Sequence, residues 1–171
     1  MKRSEQRVFQ VNIPSLKIGQ HQFQYEITDE FFAQFEEGLV DRGNGGVKLD
    51  LKLSETMMIL GFNLDLEVEL ICDRSLDTFR FPIKKKEELI VKFGETNEEL
   101  SEDLVVIADN VQLFDVAPYI QEYIGLSIPM KKLHPRYDGQ DTPPLIYQSE
   151  ADEEGSGEVI DPRWEALKKL K

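Results

Sequence analysis

Cysteine is almost absent, since Cys72 is the only one among 171 residues. A disulfide within the chain is therefore excluded, and a cysteine cage for zinc cannot be assembled from it. Histidine is nearly as scarce, with His21 and His134 alone. Nucleophilic catalysis needs a nucleophile, a base in reach and a third group to orient that base. His21 opens an expected strand and His134 falls in an expected loop, so neither has a predicted route to Cys72 or to a serine, and both read as structural or solvated residues. No apolar run approaches the roughly 18 residues that span a bilayer, and the amino-terminal residues lack the apolar stretch of a signal peptide. The expectation is a soluble, cytoplasmic protein with no membrane contact, no cofactor, no metal and no catalytic residue.

Positive charge is the next shortage. Against 33 acids stand 20 bases, a net charge of −13, and a field of that sign repels phosphate backbones. Extended binding of naked RNA is disfavoured, and no DNA partner is expected. Residues 148–160 hold Glu150, Asp152, Glu153, Glu154 and Glu158 with no base. An acidic surface either maintains solubility or suits a basic protein partner. With 40% hydrophobic content the chain can bury one substantial core. The expected organisation is one globular domain over residues 1–147, an acidic flexible linker over 148–160 and a basic amphipathic helix over 161–171.

Alternation dominates the body. Phe9, Val11 and Ile13 share one face, as do Phe23, Tyr25 and Ile27, and the two runs read as a hairpin. Thr28 reads as the N-cap of a short helix with Asp29 and Glu30 in its first turn and Gly38 at its stop. Residues 41–46 are a glycine-rich turn without a phosphate-binding pattern, because a strand over 47–53 follows rather than a helix. Residues 62–72 predict a long strand with one acidic face, paired through a turn at 73–77 with a strand over 78–83. Residues 88–93 predict another strand, 94–103 a solvated loop and 104–107 a short apolar run. Asp115 should cap a helix through Ser127, with Pro118 tolerated in its first turn. The fold class is α+β: a mostly antiparallel twisted sheet or partly closed β-barrel with two or three packed helices.

Two basic clusters stand out. Lys84, Lys85 and Lys86 read as a solvated turn, whereas Lys131, Lys132, His134 and Arg136 follow Pro129 and suit contact with phosphates or an acidic protein surface. Cys72 reads as a small strand-end residue, since a reactive thiolate wants a cationic pocket and Asp73 is adjacent. The final helix starts with Asp161 at N-cap and Pro162 at N1, and carries Trp164, Leu167 and Leu170 on one stripe. So short a helix must dock, either on its own body or on a partner. Arg163, Trp164, Lys168 and Lys169 join Lys131, Lys132, His134 and Arg136 as the candidate interaction surface.

Cys72, Asp73 and Arg74 at a strand end, the segment around Ile128, Pro129 and Met130, the following Leu133, His134 and Pro135, and the closing run from Asp161 and Pro162 to Leu167 occur in an order that resembles the YceD-like proteins, the large ribosomal RNA subunit accumulation protein family. In that family the first phrase commonly reads Cys-x-x-Cys, with further cysteines later that look like metal ligands. Ser75 replaces the second cysteine here, so the resemblance implies that packing takes over the structural job of any zinc site. It further implies a non-enzymatic role in bacterial ribosome biogenesis, supporting synthesis or accumulation of the large-subunit (23S) ribosomal RNA. The charge adds the expected partner, a basic ribosomal protein or a pre-large ribosomal subunit. A general protein-interaction adaptor with no ribosomal link is the alternative.

Overall fold

A computed structural model describes residues 9–35 and 38–137. Its central element is a ribbon of two long strands, β4 (Met57–Ile71) and β5 (Thr78–Gly94), antiparallel and in unbroken register from Met57 opposite Lys92 to Ile71 opposite Thr78. Period-two patterning sets the faces: Met58, Leu60, Phe62, Leu64, Leu66, Val68 and Leu70 are buried, while Asp65, Glu67 and Glu69 meet solvent. The lysine triplet lies mid-strand in β5, not in a turn. Each lysine is tolerated because the partner strand satisfies the backbone, while Lys84 faces Asp65 at 3.7 Å and Lys85 meets Glu87 at 2.7 Å.

The strand β3 (Gly43–Leu53) pairs with β4, and β2 (Gly19–Ile27) pairs with β3. The glycine run expected as a turn is the first half of β3. Its glycines admit close approach: a Cβ on Gly45, whose φ is +149°, would lie 2.4 Å from Leu66 Cα, and one on Gly43 would lie 2.9 Å from the Phe32 ring. Phe32 belongs to α1 (Asp29–Phe32), a single turn whose N-cap Thr28 makes no side-chain cap. The helix stops well before Gly38, and Asp29 Oδ1 instead accepts the Gly43 N–H at 3.0 Å.

The hairpin expected between the first two strands does not form. The strand β1 (Gln10–Asn12) pairs with β8 (Leu113–Asp115), far along the chain, in a separate two-stranded sheet. Phe9 explains the choice, because its ring packs at 5.4 Å from Tyr25 and 4.9 Å from Phe31, covering the core from outside the main sheet. Beyond Asp115 runs α2 (Ala117–Ser127), with Pro118 in its first turn and Ile120, Tyr123 and Ile124 buried. The N-cap position of α2 is Val116, one residue later than expected, while Asp115 Oδ1 accepts the Ala117 N–H at 3.0 Å. Tyr123 stacks edge-on against Phe62 at 5.3 Å, which seats α2 on the ribbon.

The acidic stretch expected as a loop contains a strand, β6 (Glu98–Ser101), at the sheet's far edge. It pairs antiparallel with β7 (Leu104–Ala108), which itself runs parallel to β5. The main sheet is thus mixed, ordered β2-β3-β4-β5-β7-β6, and open. No pairing joins β2 to β6, so the partly closed barrel is corrected to an open sheet covered on one face. Among the described residues there are two α-helices, α1 and α2, of which only α2 is longer than a single turn. No helix there is long and apolar enough to cross a membrane. The linker over 148–160 and the helix over 161–171 lie outside the described residues.

Candidate functional site

At its tip the β4/β5 ribbon turns through residues 72–77, closed by Leu76 N–H to Cys72 O and Cys72 N–H to Asp77 O, each at 2.9 Å. Leu76 takes the left-handed φ of +60°, which a branched residue rarely adopts. Its side chain is 78% exposed. Against this turn lies the segment 131–137, which ends in a 3₁₀ turn at Pro135–Tyr137.

The two pieces are tied by polar contacts. Asp73 N–H donates to Lys132 O at 2.8 Å and Asp73 Oδ2 accepts the Lys132 N–H at 2.7 Å. Lys132 Nζ adds an ion pair to Asp73 at 3.8 Å. The Arg136 guanidinium pairs with Asp77 and lies over the Tyr137 ring, and Arg74 lies over the same ring, at 4.9 and 4.6 Å respectively. His134 rests beside Phe79, with ring centroids 5.7 Å apart.

Cys72 is the hub. Its side chain is fully covered, and its Sγ accepts the His134 N–H at 3.3 Å. Burial pushes the thiol up, but hydrogen bonding from the Ser75 hydroxyl and from the backbone N–H groups of His134, Ser75 and Arg74 outweighs it, and the net result is a pKa lowered to about 7. The Ser75 hydroxyl is buried between Cys72 and Asp77. Its single proton can serve Cys72 or Asp77 but not both at once, and Ser75 followed by the Arg136 guanidinium holds Asp77 below the usual carboxylate range.

His134 thus does meet Cys72, contrary to the sequence expectation. The contact is through its backbone. The ring's Nδ1 accepts the Arg136 N–H at 3.2 Å, so that nitrogen is occupied in holding the turn and is not free to take a proton from the thiol. The zinc ligands that the family resemblance suggests do not fit here either. Cys72 is the sole cysteine, and no group of three or more metal-ligating side chains converges among the described residues. Hydrogen bonds and ion pairs hold the turn where packing was expected to do so.

The structure therefore brings together Cys72, Asp73, Arg74, Lys132, His134 and Arg136, with Lys131 and Pro129 exposed beside them. Asp77 and Tyr137 were not singled out from the sequence, where their only signal was proximity to those motifs, and Ser75 was noted only as standing in place of a cysteine. Arg163, Trp164, Lys168, Lys169, Asp161 and Pro162 lie outside the described residues. Elsewhere, a depression of about 810 Å³ on the outer sheet face is lined by Lys48, Lys84, Lys85 and Lys86 against Asp50 and Asp65, so its lining is net positive.

Residues 60–171 match the family described as large ribosomal RNA subunit accumulation protein YceD. The chain belongs to that family. The matched span contains the turn, the segment packed on it and nearly all of the ribbon. The YceD family name implies a role in accumulation of large-subunit ribosomal RNA. No curated protein and no solved structure matches the chain significantly.

Proposed function

We propose that this YceD protein is a non-enzymatic assembly factor that supports large-subunit ribosomal RNA by docking on a pre-large-subunit particle, at a basic ribosomal protein or beside one. Family membership carries the reading. The clamped turn supports contact with the particle's phosphates, since Arg74, Lys131, Lys132 and Arg136 against Asp73 and Asp77 make a locally basic surface, whereas the acidic remainder of the chain is what suits a basic ribosomal protein. Such a patch can contact a composite RNA and protein surface while the remaining charge discourages extended wrapping of naked RNA.

The test is a sucrose-gradient profile of a depletion strain, with the tagged protein followed across fractions and ribosomal RNA quantified. A shortage of large subunits with the protein in pre-large-subunit fractions is expected. An unchanged profile with the protein only at the top of the gradient would overturn the proposal and leave a general interaction adaptor as the better reading.

A further inference from the structure

The two edges of the main sheet are built differently. The β6 edge is short, entirely exposed, carries Glu98 and Glu99, and is broken by a register shift between Glu99 and Ser101. Those are the devices that keep an edge from recruiting another strand. The β2 edge has almost none of them, its one carboxylate, Glu26, standing next to its end. It runs for nine residues in continuous register with β3, and it contains no proline, no lysine and no arginine. Among the described residues its outward backbone groups meet no other backbone.

Charge says what can pair there. The chain is 31% charged, yet from Gly19 to Tyr25 the strand bears no carboxylate and no amine. A basic extended peptide would find no carboxylate on these residues, and opposite Gln20, Gln22 and Gln24 on β3 stand Lys52, Asp50 and Lys48, with the one acid already held by Gln22 Nε2 at 2.6 Å. A second copy of β2 fits better. In an antiparallel pairing centred on Gln22, Gln20 faces the partner's Gln24 and Gln22 faces its own equivalent, an uncharged amide ladder on the exposed face. On the other face, His21 meets Phe23 twice, and both are half-buried in the single chain.

We propose that the chain forms a two-fold dimer by antiparallel pairing of β2 with β2 about Gln22, joining two six-stranded sheets into one. Two chains of net charge −13 repel, so the pairing sits where charge is least and tightens as salt screens the remainder.

Sedimentation velocity on the full chain over a concentration series is expected to show 19.8 kDa monomers passing to dimers, with tighter association at higher salt. The double variant Gln20→Lys with Gln24→Lys puts lysine opposite lysine, and Gln20→Glu with Gln24→Glu puts glutamate opposite glutamate. Each alone should dimerise about tenfold more weakly or worse, and their equimolar mixture should form heterodimers. Both substituted positions are exposed, and unchanged circular-dichroism melting checks that the variants fold. A wild-type chain monomeric throughout overturns the proposal. So does dimerisation untouched by either variant, or loss in both that mixing does not restore.

Discussion

The β4/β5 ribbon is held in one way along its middle and in another at its tip. In the middle, Phe62, Leu64 and Leu66 are buried in the core, Phe62 against Tyr123 of α2, and side chains of this kind contribute about 1.5–3 kcal/mol each when fully buried. At the tip, charged and hydrogen-bonding groups tie the turn to a segment roughly sixty residues further on. Exposed ion pairs contribute only about 0–1 kcal/mol. Burial thus supplies most of the stability, whereas the polar ties supply a defined surface shape.

The sharpest way to break the middle is Phe62→Ala, which removes a fully buried ring and its contact with Tyr123. It should cost about 3–5 kcal/mol in a urea titration. Next comes Gly45→Ala, which forces a Cβ towards Leu66 Cα at a positive φ. A loss of about 1–3 kcal/mol is expected from strain and displacement of the strand. At the tip, Asp73→Ala leaves the Lys132 N–H without its acceptor and should cost about 1 kcal/mol globally. Its clearer signature is local: amide exchange at Lys132 and His134 should accelerate while that of β4 is unchanged.

Acid tests the tip more gently. The Asp77 carboxyl is depressed in the folded state, so its stabilisation is present above the unfolded carboxylate pKa and is lost as pH falls through the lower folded value. Thermal melts of wild type and Asp77→Asn should differ slightly at neutral pH and converge in acid; a gap that persists in acid would contradict this role. Cys72 follows the same sign, with the folded protein favouring thiolate above about 7. Its ultraviolet thiolate absorbance should rise with a midpoint near that value and return to an ordinary thiol titration in denaturant.

Much of the middle was legible before the structure. Strict alternation in residues 47–53 and 62–72 identifies β3 and most of β4, because a half-buried strand requires that pattern, and Asp115 announces the start of α2. Pairings between distant segments leave no such trace. Nothing local indicates that β1 joins β8 rather than β2. Lysines 84–86 obscure the continuity of β5, since three consecutive charges resemble a turn until Asp65 is placed across from Lys84 and Glu87 beside Lys85. Glycines that resemble a loop prove to be the condition for strand contact with Phe32 and Leu66. The site shows the same division: both motifs stand out as sequences, but the contact of Asp77 with Arg136 depends on the whole intervening fold.

That dependence has a consequence for the order in which the molecule is made. The chain must finish β5, β6, β7, β8 and α2 before Lys132 and His134 can reach Asp73 and Cys72, and closing a loop of that length comes late because its entropy must be met by contacts already formed. On a ribosome releasing the chain from its amino terminus, the turn at 72–77 emerges long before the segment that locks it. The basic surface is therefore a certificate of completed folding, displayed only by a domain that has already assembled.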